Sequence, residues 1–368
     1  MISLTDLVKS FYGRTGQRGT VRAVDNISLV VPGGSLVTLL GPSGCGKTTT
    51  LRCIAGLERP DGGEISIGGQ TVFSNRRSMN VPPHKRRIGM VFQSYAIWPH
   101  MTVYENVAYA LEGSKLSSRE SKEKVEKALA LVGLSKLESQ PAPHLSGGEQ
   151  QRVAVARALV SEPDVLLFDE PLSNLDAKLR ETMRRELRRL QKSLGITALY
   201  VTHDQTEALA ISDLIAVMNS GKIVEIGEPS EVYNRPRSKF VAEFIGQTNI
   251  LVGKPLNSSG PGEFASAETA LGVIFYRVPD DGRVSVQEVL LCIRPEDLEI
   301  SVARPEQKEN AWRGKIIAMS FLGPYQDCEL EAGETVLRAH IRREMSIKVG
   351  DEVCIKVDPS RCIPLVSD

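Results

Sequence analysis

The sequence predicts an α/β domain that is followed by a small all-β domain. Over roughly the first 235 residues, segments typical of buried strands alternate with segments typical of helices. After Phe244 the pattern changes to short runs in which apolar and polar residues alternate, as in antiparallel strands. We therefore place the domain boundary after residue 238, which divides the chain into residues 1–238 and residues 239–368.

Buried parallel strands are predicted in the first domain by continuous apolar runs at 165–168 and 198–201. Helical patterns cover 150–160 and 177–194, and the second of these has an arginine-rich middle and a basic outer face. A hairpin is predicted at 214–226, where two apolar runs flank a tight Ser-Gly turn. Helices alternating with parallel strands make this an α/β domain with an antiparallel piece near its end.

The second domain is predicted to be built of strands. Its short alternating runs lie at 273–278, 289–293, 314–319, 335–341 and 352–357. Runs of this length and spacing are typical of small β-barrels and do not fit a second α/β unit.

Composition restricts the class of protein. The chain has 368 residues, of which 41% are hydrophobic and 24% charged, as in an ordinary globular protein. Lys plus Arg and Asp plus Glu each number 45, so the net charge is zero and no nucleic-acid partner is expected. The six cysteines form no Cys-x-x-Cys pair, which indicates reduced thiols rather than disulfides or a zinc site.

Membrane insertion by the chain itself is not predicted. No apolar stretch reaches the ~18 to 20 residues of a spanning helix, and the N-terminus lacks the apolar core of a signal peptide. Any membrane role is therefore expected to come through a partner.

A phosphate-binding loop is predicted by the segment GPSGCGKTTT at 41–50, between a strand-like run and a helix-like stretch. In such a loop backbone N–H groups surround β- and γ-phosphate oxygens, Lys47 adds a positive charge, and Thr48 offers a hydroxyl to Mg²⁺. The alternative is a chance glycine-rich turn, which the flanking strand and helix disfavour. The candidate nucleotide-binding residues are Gly41, Pro42, Ser43, Gly44, Cys45, Gly46, Lys47, Thr48 and Thr49.

Two carboxylates follow the buried strand in Asp164-Val-Leu-Leu-Phe-Asp169-Glu170. Asp169 would hold Mg²⁺, directly or through water. Glu170, one residue further on, would act as a general base that polarises a water in line with the γ-phosphate. The alternative is a strand that ends in a solvated acidic turn.

A second anion-binding helix start is predicted at Leu145-Ser-Gly-Gly-Glu-Gln-Gln-Arg152. With this segment just upstream of the Asp-Glu strand, the sequence closely resembles the ABC-type ATPases. That resemblance implies a P-loop NTPase fold with a helical subdomain, and ATP and Mg²⁺ as cofactors. It also implies a head-to-tail homodimer, in which Ser146, Gly147 and Gly148 of one copy close on the ATP held by the other. An ordinary capped helix would explain Ser146 and Glu149 as a capping box, but not the accompanying motifs.

Three further residues match the family pattern. Gln93, in Val91-Phe-Gln-Ser94, resembles the Q-loop glutamine that touches Mg²⁺ and the attacking water and senses the membrane partner. Asp176 closes Ser173-Asn-Leu-Asp176, which resembles the D-loop at the nucleotide. His203 resembles the switch histidine, which contacts the γ-phosphate and positions the water near Glu170.

The resemblance thus implies a complete hydrolytic site. Its candidate catalytic residues are Glu170, His203 and Gln93, and its candidate Mg²⁺ ligands are Thr48, Gln93 and Asp169.

An aromatic ring near the N-terminus is expected to stack on adenine, as the family implies. Phe11 and the adjacent Tyr12 are the candidates, and Phe11 is preferred because it lies two residues after Lys9. An insert at 14–20 follows directly, and either ring would alternatively belong to the core.

The family pattern implies a separate ATPase subunit of a bacterial importer, lying peripherally on the cytoplasmic face of the inner membrane. The expected partners are a second copy of the chain, integral permease subunits and, indirectly, a solute-binding protein. The segment 95–107 corresponds to the region near the groove that receives the permease.

The C-terminal segments Ile293-Arg-Pro-Glu-Asp-Leu298 and 357–365 resemble the TOBE region of such ATPases, which is made of OB-like strands and is expected to serve regulation or dimerisation. The sequence of residues 81–93 and 97–100 resembles the ATPases of ferric iron, polyamine and phosphonate importers more than those of the maltose type. A sugar importer ATPase of the maltose type remains the alternative. A soluble ABC ATPase of DNA repair or translation, or a regulatory binding module, are further alternatives.

Overall fold

The computed structural model describes residues 1–12, 20–257, 259–282, 287–302 and 309–366. The chain divides into two compact units, Met1–Pro229 and Ser230–Asp368. The boundary expected after residue 238 lies within the first residues of the second unit, and it stays a prediction. Most of the insert at 14–20 lies outside the described residues.

The first unit combines two sheets with helices on one connected scaffold. Its strands are β1 (Ile2–Tyr12), β2 (Thr20–Val31), β3 (Leu36–Leu40), β4 (Gly62–Ile67), β5 (Gln70–Ser74), β6 (Met79–Asn80), β7 (Ile88–Val91), β8 (Val165–Asp169), β9 (Thr197–Thr202), β10 (Leu214–Asn219) and β11 (Lys222–Gly227). Its α-helices are α1 (Lys47–Ala55), α2 (Val103–Ala108), α3 (Ser118–Leu131), α4 (Gly147–Leu159), α5 (Ala177–Leu194) and α6 (Gln205–Ile211). Short 3₁₀ turns lie at Pro83–Lys85, Tyr109–Leu111 and Ala142–His144.

The central sheet has the strand order β11-β10-β3-β9-β8-β7. The neighbours from β10 to β7 run parallel, and β11 pairs antiparallel with β10. The predicted strands, the helix 177–194 and the hairpin are confirmed. In the hairpin turn both Ser220 and Gly221 have positive φ, at 47° and 82°, which is the geometry that two-residue hairpins favour.

Alternate residues of the central strands enter two different cores, which explains why these strands are apolar throughout. Leu166 and Phe168 face the helices α2 to α5. Val165 and Leu167 face α1 and a second sheet. Because a strand alternates faces with a period of two, burial on both sides demands an uninterrupted apolar run.

The second sheet of the first unit is antiparallel, with the order β2-β1-β4-β5-β6. This sheet was not predicted from the sequence. Strands that pair in this sheet are far apart in the chain, since Ile2 in β1 pairs with both Val31 in β2 and Ile67 in β4.

The second unit carries two helices followed by strands. The helices are α7 (Pro229–Asn234), which begins at the last residue of the first unit, and α8 (Lys239–Phe244). The strands are β12 (Asn249–Pro255), β13 (Phe264–Thr269), β14 (Gly272–Arg277), β15 (Val289–Ile293), β16 (Leu298–Ser301), β17 (Ala311–Phe321), β18 (Tyr325–Ala332), β19 (Thr335–Arg342), β20 (Glu352–Val357) and β21 (Ile363–Leu365), with 3₁₀ turns at Pro295–Asp297 and Pro359–Arg361.

These strands form two five-stranded antiparallel sheets, β14-β13-β12-β15-β21 and β16-β20-β17-β18-β19. Residues from both sheets, such as Leu291 and Ile355, enter one shared hydrophobic core. The predicted runs of strands after Phe244 are confirmed.

No helix in the described ranges has both the length and the apolar character that a membrane-spanning helix needs.

Candidate active site

Several of the predicted site residues lie where parallel strands of the central sheet end. The phosphate loop follows β3, Gln93 follows β7, Asp169 ends β8, and His203 follows β9. Because these strands are parallel, their carboxyl ends lie along the same edge, where α/β folds bind ligands.

Glycines shape the phosphate loop by close packing at two positions. Gly46 has a φ of 105°, and a Cβ there would lie 2.0 Å from the carbonyl oxygen of Ala23. A Cβ at Gly41 would lie 2.4 Å from the carbonyl oxygen of Met218. At Gly44, by contrast, a Cβ would meet no heavy atom within 4 Å, so this side of the loop is open.

The start of α1 fits a phosphate group. Gly46 occupies the N-cap position and gives the helix no side-chain cap, so backbone N–H groups of the first turn remain for a ligand. Lys47 is 5% exposed, and its Nζ donates to the carbonyl oxygens of Gly41 at 2.7 Å and Pro42 at 3.0 Å. A phosphate oxygen would make a charge-assisted bond with the same ammonium and is the stronger acceptor.

The side chain of Cys45 belongs to the protein core. It is 4% exposed, and burial raises the pKa of its thiol. Its backbone N–H donates to the carbonyl oxygen of Pro42 at 3.3 Å. In this structure the backbone N–H of Cys45, a predicted nucleotide-binding residue, is therefore bonded within the phosphate loop.

Thr48 and Asp169 provide oxygen ligands suited to Mg²⁺. The Thr48 hydroxyl donates to Asp169 Oδ1 at 3.1 Å. Burial raises the pKa of Asp169, which is opposed by the Thr48 hydrogen bond and nearby cations. Within the described ranges, no cluster of three or more His, Cys, Asp or Glu could hold a metal. One carboxylate and one hydroxyl fit Mg²⁺, which commonly takes its other ligands from phosphates and water.

Glu170 has an unusual backbone conformation, and its carboxylate lies against two other side chains. Its φ is 45°, a left-handed value that costs a residue other than glycine on the order of 1–3 kcal/mol. Its N–H donates to the Val201 carbonyl oxygen at 3.0 Å. Its Oε2 accepts from Gln93 Nε2 at 3.3 Å and lies 3.2 Å from His203 Nδ1. The structure thus brings the three predicted catalytic residues into one cluster.

The capping-box alternative for Ser146 is realised in the structure. Glu149 Oε2 accepts from the Ser146 N–H at 2.8 Å and from its hydroxyl at 2.7 Å, and these bonds lower the pKa of Glu149. The box engages the N–H of Glu149, and those of Gly147 and Gly148 lie outside it. The capped helix start therefore still presents N–H groups to an anion.

The two glycines also allow α4 to pack closely. A Cβ at Gly147 would lie 3.2 Å from Leu175 Cδ2, and one at Gly148 would lie 3.0 Å from Leu179 Cδ1.

The structure gives Asp176 and Phe11 other contacts, and it leaves Tyr12 exposed. Asp176 is the N-cap of α5, and its carboxylate accepts from the Leu179 N–H at 3.0 Å. Phe11 is 40% exposed with Lys9 Nζ 5.1 Å from its ring centroid, whereas Tyr12 is 86% exposed. Their predicted contacts with the nucleotide stay predictions.

Two residues that were not predicted from the sequence hold the segment around Gln93. Asn174 Nδ2 donates to the Gln93 carbonyl oxygen at 2.9 Å. Arg157 donates to the carbonyl oxygens of Tyr95 and Ala96, at 2.6 Å each. The sequence does contain a signal for Arg157, because a cation within the otherwise apolar stretch Val153-Ala-Val-Ala-Arg-Ala-Leu159 of α4 requires a partner.

Comparisons with known proteins show the family of the chain. The ABC transporter family model matches residues 24–173, and the TOBE domain model matches residues 291–365. The Fe(3+) ions import ATP-binding protein FbpC of Brucella suis biovar 1 is 47% identical over 327 residues, which are 88% of this chain and 87% of that protein. The spermidine/putrescine import ATP-binding protein PotA of Acetivibrio thermocellus is 43% identical over 360 residues, which are 98% and 94%.

A solved structure is also similar. The dimeric structure of MJ0796, a bacterial ABC transporter cassette, has a TM-score of 0.53 and 30% identity, covering 62% of this chain and 99% of that one. The same cassette is known in a post-hydrolysis state bound to ADP and Pi.

Proposed function

The chain belongs to the ABC transporter family as an ATP-binding importer subunit, and on that premise we propose that it hydrolyses ATP to drive ferric iron import. The observation that carries the hydrolytic part is the cluster in which Gln93 and His203 both contact the Glu170 carboxylate. Glu170 acts as the general base, and His203 and Gln93 position the water that it polarises.

The phosphate loop binds the ATP through Gly41 to Thr49, and Phe11 stacks on the adenine. Thr48, Asp169 and Gln93 would hold Mg²⁺. Support comes from the uncapped start of α1 and from the Thr48–Asp169 contact. Mg²⁺ held there would supply positive charge that offsets the charge developing on the phosphates.

Two copies of the chain form a head-to-tail dimer with ATP at the interface. Ser146, Gly147 and Gly148 of one copy contact the nucleotide bound by the other, and Asp176 lies at the same interface. The dimeric cassette with 30% identity supports this arrangement.

The membrane partner is an integral permease that docks in a groove beside Gln93. The groove has a volume of about 570 Å³, and its lining includes Pro83, Phe92, Ala96, Trp98, Tyr109 and Arg157. Trp98 and Tyr109 are 40% and 42% exposed, and their ring centroids lie 5.5 Å apart. Exposed paired aromatic rings favour a protein partner. The chain accordingly works at the cytoplasmic face of the inner membrane.

Ferric iron is proposed as the solute because relatives named for Fe(3+) import reach 47% identity. A polyamine is the second candidate, since a spermidine/putrescine relative of 43% identity spans nearly the whole chain. The maltose type is not favoured. The second unit serves regulation or dimerisation.

The test is reconstitution with the permease that co-purifies from native membranes in mild detergent. Iron-loaded and spermidine-loaded binding proteins are added separately to the proteoliposomes, and ATP hydrolysis is measured. Stimulation by the iron-loaded protein alone supports the proposal. Stimulation by the spermidine-loaded protein alone would identify a polyamine, not ferric iron, as the solute. Co-purification with a wholly soluble set of partners would reject the transport role.

A further inference from the structure

Arg157 places a guanidinium group within the otherwise apolar C-terminal half of α4. Its neighbours Ala156 and Ala158 are buried, and burial lowers the pKa of the guanidinium. One Nη nitrogen donates to the Ala96 carbonyl oxygen and the other to that of Tyr95, each at 2.6 Å. A planar guanidinium makes such a two-pronged bond in a fixed geometry, which lysine cannot reproduce.

The two accepting residues are both in the left-handed conformation. Tyr95 has a φ of 59° and Ala96 a φ of 47°, although neither is glycine. Each such residue costs on the order of 1–3 kcal/mol and persists only where its surroundings fix it. The Arg157 guanidinium donates to both carbonyl oxygens of this strained turn. The Tyr95 side chain, at 7% exposure, is buried in the core.

The strained turn directly follows the segment that reaches the reacting groups. Gln93 lies two residues before Tyr95, and its side chain contacts Glu170 Oε2 at 3.3 Å. The same turn also borders the groove, because Ala96 and Arg157 both line it. Arg157 therefore touches the turn through which the groove and the Glu170 cluster are joined.

We propose that Arg157 is a positioning residue that fixes the turn at Tyr95–Ala96, holds Gln93 against Glu170, and links the groove to hydrolysis. This inference rests on the hydrolytic roles proposed for Gln93 and Glu170. Arg157 does not touch the nucleotide loop, so its effect is expected on the rate of hydrolysis rather than on nucleotide binding.

The first arm of the test measures ATP hydrolysis and ATP affinity of the full chain with Arg157→Met, Arg157→Lys and the control Arg119→Met. Arg119 lies on α3 with 89% of its side chain exposed. For Arg157→Met we expect kcat to fall about tenfold or more, because small displacements of positioned groups are costly in rate. KM and the Kd for ATP should change less than about twofold. Arg157→Lys should recover part of the rate, and Arg119→Met should match the wild type.

A double-mutant cycle with Gln93→Ala separates positioning from general stability. If Arg157 acts through Gln93, adding Arg157→Met to Gln93→Ala should lower kcat by less than about twofold. Fully additive losses would overturn the inference, as would parallel losses of kcat and ATP affinity. If Arg157→Met does not fold, Arg157→Lys carries the same cycle.

The second arm measures the ratio of permease-stimulated to basal hydrolysis in the assembled transporter. Arg157→Met should reduce this ratio, and an unchanged ratio would remove the groove from the inference. Wild-type hydrolysis and its loss in Glu170→Gln are measured alongside. If the wild type does not hydrolyse ATP, or if Glu170→Gln keeps its activity, the proposed function is wrong. If both controls behave as expected and the Arg157 variants match the wild type, this inference alone is rejected.

Discussion

His203 Nδ1 lies 3.2 Å from Glu170 Oε2, although the two residues follow different strands of the central sheet. Gln93 Nε2 contacts the same oxygen. A carboxylate that accepts a hydrogen bond from Gln93 and lies against His203 keeps its direction, and a general base must be directed at the water it activates.

Replacing Glu170 by glutamine should separate ATP binding from hydrolysis. Glu170→Gln keeps the shape of the side chain and removes its basicity, so hydrolysis should slow by about 100-fold or more while the phosphate loop still binds ATP. Size-exclusion chromatography with ATP should then show a dimer. Glu123→Gln, on the exposed face of α3, is the control. Unchanged turnover in Glu170→Gln would contradict the role of Glu170.

The two loop glycines Gly46 and Gly44 should respond differently to alanine. At Gly46 the added Cβ would lie 2.0 Å from the Ala23 carbonyl oxygen, so Gly46→Ala should lower the thermal midpoint by several degrees, as ~2 kcal/mol or more of strain would. Gly44→Ala adds a methyl to open space and should cost only the ~1 kcal/mol of a left-handed alanine. Differential scanning calorimetry gives both values. Equal losses would show that the packing at Gly46 is not decisive.

Cys45 should react slowly with thiol reagents, and more slowly still with ATP. Its side chain is buried and its pKa is raised by burial, so little reactive thiolate is exposed. Labelling therefore requires the phosphate loop to open, which bound ATP opposes. Peptide-resolved mass spectrometry follows the labelling of Cys45, with buried Cys328 in the second unit as the internal reference. Equal Cys45 rates with and without ATP would argue against the nucleotide site.

The Asp327–Arg338 pair should make the second unit sensitive to acid. The hydrogen bond from Arg338 holds the pKa of Asp327 below its ordinary value of 3.8. A carboxyl with a lowered folded pKa stabilises the fold above pH 3.8, and this stabilisation is lost as the pH falls through the folded pKa. Asp327→Asn should therefore lower the free energy of unfolding by about 1 kcal/mol at pH 7, and the difference from wild type should shrink towards pH 2.

Urea unfolding followed by Trp312 fluorescence in a Trp98→Phe background measures the second unit alone. Glu331→Gln, an exposed change on the same strand, is the control. A difference that stays constant from pH 7 to pH 2 would exclude the charged pair as its cause.

The sequence predicted those elements whose signals are local. The buried strands β8 and β9 appear as unbroken apolar runs, and α5 begins at the residue after its cap Asp176. The placement of the candidate site residues at the ends of the central strands was predictable, because each belongs to a short motif at the end of a strand.

Features that depend on distant backbone groups were not predictable. The antiparallel sheet joins Ile2 to both Val31 and Ile67, and these pairings leave no local pattern. The need of Arg157 for a partner can be inferred from its apolar neighbours, but its partners cannot, because they are backbone carbonyls, which any residue type supplies. The left-handed conformation of Tyr95 and Ala96 likewise arises from the surroundings, because neither residue type favours it.

The left-handed backbone of Glu170 implies a conflict between durability and turnover. Asparagine and glycine tolerate this conformation better than glutamate does, so either residue would make the site more robust to heat. Neither could act as a base. Random selection for thermal tolerance alone would thus tend to erase the carboxylate, and thermostabilised variants of this chain should be screened for activity at this position first.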